Sequence, residues 1–397
     1  MVKNDFPLLR NNSSLIYFDN AATSQKPAEV IEALKHFYEH ENAPVHRGLY
    51  QLAERATSLF EHARQTIGRF INADPVEVIV TKSATEGINF IANAWALNHL
   101  KAGDEIVITE LEHHSNMIPW QLVAKKTGAI LNYIPVNSHG EIVYDQLEKI
   151  ITRKTKLVAC THSSNAIGTS VNVKKIVERA RAVGAKVLID ACQTAPHQKI
   201  DVQQLQCDFL VFSGHKMLGP TGIGILYIKK DTQHEVQPYQ VGGGMIFEAS
   251  YQDAIWLKAP QCYEAGTQPI AELIALAQAV EYLNQKVDFV ALKKHEAALC
   301  AQLIDGLRKI KEIKILGPIE QLKKEGHLVS FVHQKIHAHD IAAYLDKHSI
   351  SVRSGHFCAQ PLAKKLGIVG AVRVSFYLYN TATEVDRFLD VLAQMKL

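Results

Sequence analysis

Lys216 sits in a loop of glycines and a proline between two apolar, strand-like runs, in "DFLVFSGHKMLGPTGIGILYIKK" (208–230). An amine that leaves water must be neutral, paired or covalently used, and lysine is the side chain suited to condense with an aldehyde. Other residues with chemical capacity fall just past short apolar runs: His113 and His114 in "ELEHHSN", Asn165 in "THSSNAIGT", Asp190 followed by Cys192 and Gln193, and Ser213 with His215 before Lys216. Upstream, Ser83 and Thr85 of "TKSATEGIN" stand at a helix start, where free N–H groups and the helix dipole favour an anion such as phosphate. Pyridoxal phosphate, an aldehyde bearing a phosphate and a pyridine nitrogen, needs this set of parts. Lys216 supplies the amine, Asp190 a carboxylate for the ring nitrogen, Thr85 with Ser213 and His215 the phosphate anchor, and His113 a flat group over the ring. Two competing uses fail on spacing. His113, His114, His337 and His339 lack a carboxylate or cysteine at recurrent ligand spacing, so no metal is expected. The glycines of "GPTGIG" have neither the G-x-G-x-x-G order nor a Walker lysine–serine or lysine–threonine pair, so nucleotide binding is not indicated.

These residues need a scaffold that brings strand ends together. Seven β-rich runs, at 76–81, 105–109, 130–136, 156–162, 186–190, 209–213 and 224–228, alternate with helical patterns such as "TEGINFIANAWALNHL" and "VNVKKIVERARAVGA". The alternation predicts an α/β fold with a large, mainly parallel seven-stranded sheet, whose ligands lie outside the carboxyl ends of the strands. The last two runs are too close for a crossover helix, so one of them is expected to be antiparallel. After about residue 285 long helices enclose the strand candidates "HLVSFVH", "ISVRS" and "VRVSFYLY", which predicts a smaller α+β unit. The expected organisation is an N-terminal segment, 1–20, packing with the small unit; a large cofactor-binding domain, 21–285; and a small C-terminal domain, 286–397.

Composition narrows the class further. The 397 residues are 47% hydrophobic and 21% charged with a net charge of +3 and no block of one sign, so neither a nucleic-acid nor an anionic-membrane surface is expected. The start, "MVKNDFPLLRNNSSLIYFDN", lacks the pattern of a signal peptide, and no apolar run is long enough to span a bilayer. A soluble, cytoplasmic protein is expected. Six cysteines, Cys160, Cys192, Cys207, Cys262, Cys300 and Cys358, contain no C-x-x-C pair, which argues against a disulfide framework.

The motifs "YFDNAAT", "VHRG", "TEGIN", "LEHHSNMIPWQ", "HSSNAIGT", "VLIDACQ", "FSGHKMLGPTGIG", "EAGT" and "VRSGHFCAQPL" resemble, in order and over nearly the whole chain, the SufS-type cysteine desulfurases of the class V aminotransferase group. The resemblance implies a fold-type I pyridoxal-phosphate enzyme, a homodimer, that converts L-cysteine to L-alanine and leaves a persulfide, supplying sulfur for iron–sulfur cluster assembly. It implies Lys216 as the Schiff-base lysine, Asp190 as the pyridine partner, His113 as the stacking residue and Gln193 as the contact to the ring hydroxyl. Thr85, Ser213 and His215 become phosphate contacts, joined by Thr267 from the other subunit. Asn165 and Arg373 form the substrate-carboxylate clamp, and an arginine fork suits a planar carboxylate independently of any relative. Cys358 becomes the sulfur acceptor, with Arg353 and His356 beside it to hold charge, and Arg353 joins the substrate-binding set. Ala84 departs from the group, which commonly has a hydroxyl there, and Cys192 stands where alanine or serine is frequent. Selenocysteine lyase chemistry shares every residue except the tuning around Cys358; a transaminase or β-eliminase would not need Cys358, and a non-catalytic member of a sulfur-assembly complex would not need the whole set. The short segment between "ISVRS" and Pro361 gives Cys358 little slack. Slow turnover with cysteine alone is therefore expected, with a rise when a SufE- or SufU-type acceptor protein is present.

Overall fold

The structure, a computed structural model, describes residues 2–395. A two-residue strand, β1 (Ile16–Tyr17), and helices over 28–36 and 51–71 precede a large sheet. That sheet takes β2 (Val78–Thr81), β3 (Glu105–Thr109), β4 (Ile130–Ile134), β5 (Thr155–Thr161), β6 (Lys186–Asp190), β7 (Phe209–Ser213) and β8 (Gly224–Ile228). Their spatial order is β2-β8-β7-β6-β5-β3-β4. Pairs among β3 to β7 are parallel, and β8 runs antiparallel to both β7 and β2. The reversal follows from chain length, because residues 214–223 hold only one turn of 3₁₀ helix and cannot cross the sheet.

Parallel strands covered by helices on both faces bury nearly every side chain, and the central ones here do so apart from a residue at the strand start, while edge strand β4 stays partly exposed. Val187, Leu188 and Ile189 of β6 expose nothing, each burial stabilising by roughly 1.5–3 kcal/mol. Polar side chains therefore gather where the apolar runs stop, at Thr109, Thr161, Asp190 and Ser213. One close approach needs glycine: a Cβ on Gly224 would lie 2.6 Å from the backbone of Ser83, so a side chain there would push away the turn that starts the helix Ala84–Ile91.

Beyond the large sheet comes an exposed hairpin, β9 (Ile246–Ala249) with β10 (Ala254–Trp256). A second sheet follows. It is built from β11 (Ile313–Leu316), β12 (Leu328–His333), β14 (Arg353–Gly355) and β15 (Ala371–Ser375), antiparallel throughout, in the order β11-β12-β15-β14. The intervening β13 (Ile350–Ser351) pairs in parallel with β1, and Asp19 bridges Ser375, so the start of the chain lies against this second sheet.

Local readings differ in four places. "ISVRS" is not one strand: it breaks at Val352, its first half pairing with β1 and its second with β15. "VRVSFYLY" stops being a strand at Ser375, although Phe376 to Tyr379 are mostly buried. Residues 75–77 form a 3₁₀ turn capped by Asp74 and Glu77, because Pro75 fits the first position of a turn. The helix Ile270–Lys286 runs through residue 285 and was not anticipated, since its apolar residues cover most of its circumference and leave little periodic contrast.

Candidate active site

The sheet ends converge on one cavity of about 270 Å³, whose wall includes Thr85, His113, Asn165, Asp190, Gln193, Ser213, His215, Lys216, Arg353, Cys358 and Arg373. Of the residues expected from sequence, Thr267 and His356 are not on this wall; Thr267 is exposed on the segment after the buried Glu264, and His356 faces away beside Cys358. A larger cavity of about 910 Å³ lies beyond Ser163 and Gln193, but Lys216, Asp190 and Cys358 do not line it. Chemistry, not size, selects the smaller one.

Lys216 ends the 3₁₀ turn Gly214–Lys216 and is half-buried. Its turn is held from outside the sheet, because the His215 carbonyl accepts from Ser24 N (3.1 Å), Thr23 Oγ1 (3.0 Å) and Lys26 Nζ (3.0 Å). Burial pushes the Lys26 amine down to about 8. Asp190 ends β6 with Oδ1 accepting from Cys192 N at 3.0 Å. Gln193 donates through Nε2 to the Ala21 carbonyl at 2.8 Å.

The helix Ala84–Ile91 points its N-terminus at the cavity, with Ser83 as cap. Ser213 Oγ accepts from Ala84 N at 3.0 Å, so at the departure noted at Ala84 the backbone N–H is already engaged. Thr85, Ser213 and His215 surround that end and suit an anion. His113 accepts at Nδ1 from Ser115 N (3.1 Å), which leaves its other ring nitrogen to carry the hydrogen. Burial, with the Lys216 charge adding to it, pushes His113 down to about 4, so the ring is neutral near pH 7.

Behind His113 sits a group that sequence reading passed over. Glu112 is buried and accepts from Thr109 Oγ1 (2.5 Å), Asn116 Nδ2 (2.6 Å) and Thr161 N (2.9 Å), tying the ends of β3 and β5 together. Its signal was only a carboxylate beside two histidines.

Cys358 comes from the second sheet. Four residues, 356–359, separate β14 from the helix Gln360–Lys365. Phe357 (φ +54°) and Cys358 (φ +56°) both adopt the left-handed region, which costs non-glycine residues of order 1–3 kcal/mol each. The segment stays there because the large sheet grips it: Asn165 Nδ2 donates to the Phe357 carbonyl (2.6 Å) and His114 N to the Cys358 carbonyl (2.8 Å). The strand ahead of it is partly exposed, so besides the shortness of the segment it is these two bonds that limit its reach. Among the described residues Cys358 is the one exposed cysteine.

The segment bearing Thr267 hangs on a buried ion pair. Arg64 Nη1 and Nη2 meet Glu264 Oε1 (2.7 Å) and Oε2 (2.9 Å), and Oε1 also accepts from Val80 N (2.8 Å). Removing Glu264 leaves Arg64 only the part-exposed carboxylate of Glu61 (Nε to Oε2, 3.1 Å), so Glu264→Gln should lower stability by about 3 kcal/mol, the low end for a broken buried pair, in urea unfolding. A loss below about 1 kcal/mol, the range of exposed pairs, would contradict that reading.

Proton linkage gives a second test. His113, His162 and His215 are all pushed down by burial to about 4. Unfolded rings, near the usual 6.5, bind protons that the folded rings refuse, so stability is lost as pH falls from about 6.5 to 4. Glu112, pushed up to about 8 by burial, works oppositely and loses its contribution as pH rises from about 4.5 to 8. His197 and His327 are pushed down by burial as well and Glu296 is pushed up, so five rings outweigh two carboxyls. The urea midpoint of the apoprotein should therefore be lower at pH 5 than at pH 6.5, and equal midpoints would mean that the folded rings accept protons.

A mostly parallel seven-stranded sheet, with an aspartate and a lysine at the ends of adjacent strands and a helix N-terminus beside them, defines a fold-type I α/β enzyme scaffold. Comparison with known proteins agrees. The aminotransferase class-V profile matches residues 16–388. The chain is 46% identical to a probable cysteine desulfurase of Halalkalibacterium halodurans, over 100% of this chain and 97% of that one. It is 44% identical to one from Synechocystis, over 98% and 94%. An apo cysteine desulfurase structure from Thermococcus onnurineus superposes with a TM-score of 0.94 at 40% identity, covering 98% of this chain and 96% of that one. This chain belongs to the class V aminotransferase family.

Proposed function

We propose that the protein is a pyridoxal-phosphate-dependent cysteine desulfurase, converting L-cysteine to L-alanine and passing the sulfur to Cys358. The observation that carries this is the meeting of Lys216, Asp190, Arg373 and Cys358 on one cavity wall. The relatives at 46% and 44% identity bear the same activity in their names.

The wall fits the cofactor: an amine at Lys216 for its aldehyde, a carboxylate at Asp190 for the ring nitrogen, and Thr85, Ser213 and His215 at the helix end for its phosphate. Neutral His113 would be the flat group facing the cofactor ring, and Gln193, in the same wall, would meet the ring hydroxyl. When bound, pyridoxal phosphate supplies an electron sink for carbanion chemistry at Cα. Arg373, with Asn165 and Arg353, binds the substrate carboxylate and so orients Cα. Lys216 Nζ takes the proton from Cα. The Cys358 thiolate attacks the substrate sulfur, the carbon–sulfur bond breaks, and a sulfur–sulfur bond forms. The proton given up by the Cys358 thiol goes to the former sulfur-bearing carbon and Lys216 Nζ returns its proton to Cα, which completes L-alanine, so one cysteine and one thiol become one alanine and one persulfide.

Iron–sulfur cluster assembly is the proposed destination of the sulfur. Exposure of Cys358 on a segment held at both carbonyls supports delivery to a visiting thiol of a SufE- or SufU-type acceptor protein rather than an outward swing. A homodimer is proposed as well, with Thr267 serving the partner's phosphate. Leu49, Phe247, Tyr251 and Ile255 leave large apolar surfaces in water, as an unpartnered interface does. Among the described residues no helix is long and apolar enough to cross a membrane, and we place the protein in the cytoplasm.

Incubation of the holoenzyme with L-cysteine tests the activity: L-alanine should form, whereas pyruvate would indicate β-elimination instead. Sulfide release, measured with reductant in both arms, should rise markedly when the acceptor protein is added. Equal rates would remove the acceptor from the account.

A further inference from the structure

Arg373 is not a free fork. Its Nη2 donates to Asp19 Oδ1 at 3.0 Å and its Nη1 to the Asn165 carbonyl at 2.7 Å, while its buried Nε has no partner among the described residues. The Phe357 ring lies 5.0 Å from the guanidinium carbon. Arg353 Nη1 reaches Asp19 Oδ2 at 3.7 Å. One carboxylate of the chain is thus held between two guanidinium groups.

Backbone pairing sets this triangle. Arg353 stands directly opposite Arg373 in the β14–β15 register, and Asp19 bridges Ser375, two residues along β15 and on the same face as Arg373. Lys216 and Asp190, the other ionic groups of the wall, are of opposite sign. Two arginines less one aspartate leave a single positive charge, enough for one incoming carboxylate.

We propose that Asp19 is a positioning and specificity-determining residue: it orients Arg373 and cancels one of two arginine charges, so that the site accepts monocarboxylates and disfavours ligands with a second anionic group. The proposal rests on the reading of Arg373 as the carboxylate-binding arginine, but not on the desulfurase reaction.

The test is calorimetric titration of the holoenzyme with acetate and with succinate. In Asp19→Asn the affinity for succinate relative to acetate should rise about tenfold, a modest share of the interaction between charges a few ångströms apart. Asp19→Glu should keep the wild-type ratio. Arg353→Gln, at a half-exposed side chain, should move the ratio the other way, and this arm decides the matter if Asp19→Asn does not fold. An unchanged ratio in Asp19→Asn, or in Arg353→Gln, overturns the proposal. Arg373→Ala should lose both anions; retention of both would refute the carboxylate reading and the proposal with it. Alanine formation from L-cysteine is followed separately, so that anion ratios as expected without alanine would sink only the activity.

Discussion

Lys216→Ala should fold, retain pyridoxal phosphate only non-covalently, and turn over L-cysteine about 10²–10⁴-fold more slowly, the usual loss when a positioned acid–base group is removed. Lys216 is half-buried at the end of a turn whose geometry is held through the neighbouring carbonyl of His215, not through the lysine side chain. The unfolding midpoint should accordingly stay near that of the wild type. Borohydride should fix the cofactor to the peptide containing Lys216 in the wild type and leave it removable in the variant. Covalent attachment in Lys216→Ala would place the cofactor amine elsewhere.

Cys358→Ala should show the second large effect, a fall in sulfur release of at least about 10³-fold, with cofactor binding intact. The reason is access and charge state. Cys192 lies on the same wall, but burial pushes its thiol up to about 12, with the Asp190 carboxylate adding to the rise, so it holds its proton near pH 7. Cys358 alone is exposed among the described cysteines. Cys192→Ala should therefore keep near wild-type sulfur release, and loss there with retention in Cys358→Ala would exchange their roles.

The residues that line this cavity were legible in sequence because the central parallel strands bury nearly everything except their ends. Asp190 and Ser213 each terminate an apolar run, so position alone marked them. Asp19 and Lys26 carried no such mark. They lie in "FDNAATSQK", after a strand of only two residues, and what they touch, Arg373 and the His215 carbonyl, lies far along the chain. Glu112 was hidden for a related reason: its partner Thr161 meets it only after β3 and β5 pair. Single short strands such as β1 and the broken pair β13–β14 offer no period to read, since two or three residues cannot display alternation. Their pairing is nevertheless what brings Arg353 and Arg373 to either side of the Asp19 carboxylate.

The most direct measurement is intact-protein and peptide mass spectrometry of the holoenzyme after one exposure to a limiting amount of L-cysteine, with L-alanine quantified in the same sample. The account predicts one added sulfur atom on the peptide containing Cys358 and an equal amount of L-alanine. Alanine without sulfur on Cys358, or sulfur on another cysteine, would contradict it.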